Sequence, residues 1–125
     1  MKRLLVLGSL IFLIVALVLT GCVGKKINNP PTIVDKSLSA TEITVGESVD
    51  LYYKVSDPDG DPVTVTVDWG DGQSENFTEV ERTVSHTYNE AGEYTVQISV
   101  SDGKGGQAGP VTVGTVVVSA PVPPN

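Results

Sequence analysis

The 125-residue chain carries 8 basic and 15 acidic side chains, a formal charge of −7, and one cysteine, Cys22. Its length leaves room for one domain once an N-terminal segment is set aside. The lone cysteine excludes an intramolecular disulfide, and the acidic balance argues against nucleic acid or anionic head groups as partners. The positive mean hydropathy of +0.09 comes largely from residues 4–23, so the remainder is more polar than that value suggests.

The chain opens with Lys2 and Arg3, followed by an unbroken apolar or small run from Leu4 to Val23. This is a charged n-region ahead of an apolar h-region. The run ends Leu19-Thr20-Gly21-Cys22, which resembles the lipobox of bacterial lipoprotein signal peptides. The resemblance implies that residues 1–21 are removed and that Cys22 receives acyl chains such as palmitate. Two or three such chains anchor stably where one is marginal. The other reading is an uncleaved transmembrane anchor, for which the run is long enough. Lys25 and Lys26 beyond it leave basic residues on both flanks and so weaken the orientation signal. Both readings place the rest of the chain outside the cytoplasm, on a bacterial cell envelope. Val23, in place of an aspartate, is compatible with sorting to an outer membrane. Without Lys2 and Arg3 the charge falls to −9.

Residues 22–32 read as the lipidated cysteine and a flexible tether, with Asn28, Asn29 and Pro30-Pro31 and no periodicity. Strand signals then recur. Thr32–Val34 and Glu42–Val45 read as two pieces of a first strand. Leu51, Tyr53 and Val55, then Val63, Val65, Val67 and Trp69, then Tyr94, Val96, Ile98 and Val100, each alternate with polar residues. Alternation of β-branched and aromatic side chains with polar ones marks half-buried strands. Glu75–Thr78 reads as a weak edge strand. Val80–Tyr88 is another, with Val80, Val84, His86 and Tyr88 on one face. In a last strand, Pro110–Val118, the inward parity switches at Gly114, which predicts a bulge that turns Val111 and Val113, and Val116 and Val118, all inward. Turn residues separate the strands at 57–60, 70–72, 89–92 and 102–106. About seven short strands with no helical period imply an all-β, two-sheet antiparallel sandwich over 33–119, with a Pro-rich tail at 120–125. The only helix expected is the N-terminal hydrophobic signal helix.

Two stretches carry a family resemblance. Ser56-Asp-Pro-Asp-Gly-Asp-Pro-Val-Thr-Val-Thr-Val-Asp-Trp-Gly-Asp-Gly72 and His86-Thr-Tyr-Asn-Glu-Ala-Gly-Glu-Tyr-Thr-Val-Gln-Ile-Ser-Val-Ser-Asp102 resemble the signature of the polycystic kidney disease (PKD) domain. The resemblance runs from about Asn29 to Val118 and implies an immunoglobulin-like sandwich that serves as an extracellular spacer or as a protein- or carbohydrate-binding module. One departure is Val67 where relatives often have tryptophan. The tryptophan here is Trp69, whose parity places it in the core.

Asp57, Asp59 and Asp61 alternate in one loop and supply hard oxygen ligands of the kind calcium takes. An EF-hand is excluded, because Pro62 stands where its loop needs glycine and no helices flank it. The PKD resemblance implies a calcium set of Asn29, Asp57, Asp59 and Asp102, with the loops after the second and sixth strands meeting at one end. The competing reading is an Asx-turn whose aspartates cap backbone N–H groups. Asp71 between Gly70 and Gly72 reads as a turn residue, and His86, the only histidine, as a hydrogen-bonded structural one. No second histidine or free thiol is available for zinc, no nucleophile elbow is present, and no catalytic residue is assigned.

The sequence therefore predicts a membrane-anchored, extracytoplasmic, non-catalytic binding or scaffolding module. Its partners would be the membrane through its lipid and an envelope protein or polysaccharide, with no nucleic acid. No cofactor is required, and calcium is the one candidate ligand of this kind. The alternative is a purely structural spacer or self-associating envelope lipoprotein. A carbohydrate-binding variant would need an exposed aromatic, for which Tyr52, of outward parity beside Lys54, is the candidate.

Overall fold

The computed structural model describes residues 25–125. The expected signal peptide and signal helix, and Cys22, lie outside the described residues. The rest is all β, with no helix among the described residues. Eight strands run in chain order: β1 (Thr32–Leu38), β2 (Glu42–Thr44), β3 (Ser48–Ser56), β4 (Thr64–Asp68), β5 (Ser74–Phe77), β6 (Glu81–Thr87), β7 (Gly92–Ser101) and β8 (Gln107–Ser119). They form a three-stranded sheet, β1-β3-β6, and a five-stranded sheet, β2-β8-β7-β4-β5. This is the immunoglobulin-like arrangement of two packed sheets.

The expected alternation builds the core. Val49, Leu51, Tyr53 and Val55 of β3 face Val65 and Val67 of β4 and Val96, Ile98 and Val100 of β7, all of them buried. Full burial of each such side chain is worth about 1.5–3 kcal/mol, which lets a domain without a disulfide hold together. Trp69 is fully buried, as its parity requires. Two buried phenols find acceptors: Tyr53 donates to the Glu79 carbonyl at 3.1 Å and Tyr88 to the Trp69 carbonyl at 2.7 Å. Neither hydroxyl is left unsatisfied in the interior.

Four expectations are corrected. The strands number eight, not about seven. Thr32–Val34 and Glu42–Val45 are not pieces of one strand. β1 pairs antiparallel with β3, whereas β2 crosses to the other sheet and pairs parallel with β8. A bulge does fall next to Gly114, between the pairs Val96↔Gly114 and Gln97↔Thr112. It buries Val116 and Val118 and packs Val113 on the core. Val111, at a second shift of register between Ile98 and Val100, is exposed. Val80 is also exposed, because it precedes β6 and uses its carbonyl to hold the Val55 amide at 2.7 Å.

Strand direction gives the sandwich two poles. The start of β1, the end of β3 and the end of β7 meet at the pole where residues 25–31 arrive. The β4–β5 turn, the β6–β7 turn and the end of β8 meet at the distal pole.

Candidate functional site

At the tether pole, the loop leaving β3 folds around Asp57. Its Oδ1 accepts the backbone N–H groups of Asp59 at 2.9 Å and Asp61 at 3.1 Å, an Asx-turn of the kind aspartate favours. That turn aims three half-buried carboxylates the same way, and oxygens of Asp57, Asp59 and Asp61 lie within 4.8 Å of one another. Asp57 Oδ2 is buried and has no hydrogen-bond partner. A buried orphan oxygen is costly unless something compensates it.

The chain before β1 is docked on this loop. Asn29 donates from its backbone N–H (2.6 Å) and its side-chain amide (3.1 Å) to the two oxygens of Asp59. These bonds hold the Asp59 carboxyl below its ordinary range. Asn28 donates to Asp102 Oδ2 at 2.7 Å, while Oδ1 of the same residue accepts the amides of Lys104 (2.8 Å) and Gly106 (2.9 Å). Asp102 is therefore also held low, chiefly by Asn28. Pro31 is fully buried. The Lys104 ammonium bonds Asp61, which raises the lysine's pKa.

Of the expected set, Asn29, Asp57 and Asp59 come together. Asp102 lies at the same pole but outside the cluster of carboxylate oxygens, bonded to Asn28 and to its own turn. Asp61 completes the carboxylate trio in its place. The alternating aspartates of one loop were the available signal for it. Three convergent carboxylates with one uncompensated oxygen fit a hard cation such as calcium, which takes six to eight oxygens.

Tyr52 lies half-buried on the outer face of β3. Its hydroxyl donates to Glu81 Oε1 at 2.6 Å, and Lys54 joins the same carboxylate at 3.5 Å. The hydrogen bond to Glu81 pushes the phenol up to about 12. The ring is thus presented with its polar tip already taken.

The distal pole is organised by aromatics that single motifs do not reveal. His86 stacks on Trp69 with ring centroids 4.7 Å apart and meets Tyr88 edge-on at 4.7 Å. Its Nε2 bonds Asp71 Oδ2 at 2.7 Å. Burial works to raise the Asp71 carboxyl, but the hydrogen bonds from His86 and from the Gln73 amide outweigh it and leave it below its ordinary range. Tyr88 stacks on Tyr94 at 4.4 Å, and burial pushes the Tyr88 phenol up. Tyr94 donates to the Glu90 carbonyl at 2.8 Å, the tyrosine corner of immunoglobulin-like sandwiches. Gly70, at φ +82°, is required here, because a Cβ would lie 2.5 Å from the Thr95 carbonyl oxygen. A cavity of about 320 Å³ opens beside this stack, lined by Asp71, Gln73, Tyr88, Asn89, Glu90 and Tyr94.

The chain is similar to known proteins. It is 40% identical over 77 residues to a microbial collagenase of Vibrio alginolyticus, a stretch of 61% of this chain and 9% of the collagenase. The fold matches the PKD domain of an M14-like peptidase from Thermoplasmatales archaeon SCGC AB-540-F20, with a TM-score of 0.62 and 27% identity over 74% of this chain and 99% of that one. It also matches a protein of the carbohydrate-binding modules of promiscuous specificity from the β-sandwich superfamily. There the TM-score is 0.63 and the identity 25%, over 76% of this chain and 36% of that one. The family model described as PKD domain matches residues 28–118, from the docked asparagines to the last core valine, and the chain belongs to that family.

Proposed function

We propose that this PKD domain is a non-catalytic binding and scaffolding module held at a bacterial cell envelope, outside the cytoplasm, through lipid on Cys22, and that calcium at Asp57, Asp59 and Asp61 steadies its docked N-terminal segment. The observation that carries this reading is the dock itself. Asn28 and Asn29 bond Asp102 and Asp59 beside a carboxylate oxygen that lacks a partner. Only six residue steps separate Cys22 from Asn28, about 20 Å at full extension. The tether pole then faces the membrane and the distal pole faces outward.

The non-catalytic part is supported by the histidine. His86 is locked between Trp69, Tyr88 and Asp71, far from the geometry of a nucleophile-and-base pair. The relatives support a binding role, since one is part of a collagenase, one of a peptidase and one a carbohydrate-binding module.

Intact mass of the mature protein tests the anchor. The expected result is loss of residues 1–21 and added acyl mass on Cys22, and an unmodified full-length chain overturns it. Millimolar Ca²⁺ is expected to raise the melting temperature relative to chelator, and superimposable melts remove the calcium. Pull-down from detergent-solubilised envelope is expected to recover a distinct stoichiometric partner, protein or polysaccharide. Recovery of the chain alone favours a self-associating spacer.

A further inference from the structure

The charges of the domain are segregated along its length. All six basic residues of the described chain, Lys25, Lys26, Lys36, Lys54, Arg82 and Lys104, lie at or above the level of Tyr53, toward the tether pole. The distal half holds eight carboxylates and no lysine or arginine. Glu42, Glu47 and Asp50 come from around β2 and β3, Asp68, Asp71 and Glu75 from β4 and β5, and Glu90 and Glu93 from the approach to β7. The two halves therefore differ in net charge by several units, although they carry similar numbers of acids.

The distal cavity of about 320 Å³ opens inside this unneutralised field. A concave site lined by one sign of charge raises the local concentration of cations. One wall is the stacked pair Tyr88–Tyr94. The opposite groups are the carboxylates of Asp71 and Glu90 and the amides of Gln73 and Asn89. Among the described residues, the side chains of Gln73, Asn89 and Glu90 make no hydrogen bond to the protein, so their oxygens remain available as acceptors. Tyr94 is fixed by its bond to the Glu90 carbonyl and Asp71 by His86 and the Gln73 amide. The aromatic wall and one carboxylate are thus set before anything enters, which lowers the ordering cost of binding.

We infer that the distal pocket receives a lysine or arginine side chain from a basic segment of a partner protein. The aliphatic stem of such a side chain lies along the tyrosines. Its cationic head meets the carboxylates and the amide oxygens of Gln73 and Asn89, and the surrounding acids steer its approach. A neutral glycan would use the hydroxyl-bonding groups but gain nothing from the field. This deepens the binding-module reading and rests on it, but not on the lipid anchor.

The test uses the full chain in detergent micelles and the peptide acetyl-Gly-Arg-Gly-Lys-Gly-amide, followed by amide chemical shifts and by the emission of Trp69, the only tryptophan. The expected result is a saturable shift confined to residues 70–73 and 88–94 that weakens as salt is raised. Glu90→Gln should weaken binding about twofold to fivefold, and Glu90→Lys more than that, with unchanged melting curves because the position is exposed. Four results overturn the inference: no shift at these amides, a shift centred on the 57–61 loop, binding indifferent to Glu90→Lys, or equal shifts from a neutral N-acetylglucosamine oligomer. The binding-module reading itself falls only with the pull-down, so the two failures are distinguishable.

Discussion

The tether pole and the distal pole carry nearly the same number of carboxylates but differ in the cations beside them. At the tether pole each acid near the dock meets a donor or a cation: Asp59 has Asn29, Asp102 has Asn28 and two turn amides, and Asp61 has Lys104. At the distal pole Asp71 has His86, Asp68 caps the Gly70 amide at 2.9 Å, Glu47 accepts the Thr44 amide at 2.7 Å, Asp50 accepts the Ser85 hydroxyl and Glu75 the Trp69 indole N–H at 3.4 Å, but no lysine or arginine is near. Acid content alone therefore says little about what a surface does. The supply of nearby cations decides whether a group of carboxylates is neutralised by its own chain or is left to attract another one.

Four experiments break or sharpen that contrast, from the largest effect to the smallest. Trp69→Ala removes the centre of the distal aromatic stack and should cost about 3–5 kcal/mol by denaturant unfolding. If the poles are independent, protease sensitivity of 28–31 in the still-folded fraction will not rise. Gly106→Ala attacks the other pole. A Cβ there would collide with the Asp102 carboxylate and stand 2.9 Å from Pro30 Cα. A loss of about 1–3 kcal/mol is expected, with faster cleavage near Lys26 and unaltered Trp69 emission. A changed emission would show that the poles are coupled.

Acid should erode both poles. The fold holds Asp59, Asp71 and Asp102 below their ordinary values, so it favours their ionised forms. The stability they add is complete above the ordinary carboxylate range, near about pH 4, and is lost as pH falls through the lower folded values. Melting temperatures should therefore hold steady at higher pH and drop below that point, and a flat profile would contradict the hydrogen bonds described. Smallest of all, Tyr52→Phe should leave the melting temperature unchanged, because the Glu81 carboxylate that its hydroxyl meets is about half exposed and such surface contacts add little.

The core was legible from alternation alone. The rows of β3, β4 and β7 and the burial of Trp69 follow from a period of two, and the switch of parity in β8 betrays the bulge at Gly114. What escaped was non-local. Nothing in Glu42–Thr44 says that it leaves its neighbour's sheet to pair in parallel with β8, since three residues carry no face pattern. Val80 shared the parity of Val84 but lay one residue before the ladder began. At the candidate site, the aspartate loop could be read, and the trio of 57, 59 and 61 was visible as a spacing. The engagement of Asp102 by Asn28 depends on how the incoming chain lies, which no spacing encodes. The Trp69–His86–Tyr88–Tyr94 stack draws on two distant segments and was equally hidden.

The parallel pairing of β2 with β8 has a mechanical consequence. The chain enters at one pole and β8 leaves at the other. Tension drawn between these points pulls β2 and β8 past each other along their length, and does not peel them apart. The pairs Glu42↔Val117, Ile43↔Val118 and Thr44↔Ser119, with the flanking bonds Val117 N–H to the Thr41 carbonyl and Val45 N–H to the Ser119 carbonyl, would then be loaded together. Three short residues thus act as a shear lock, and a strand too brief to be noticed in the sequence sets how hard the module can be pulled.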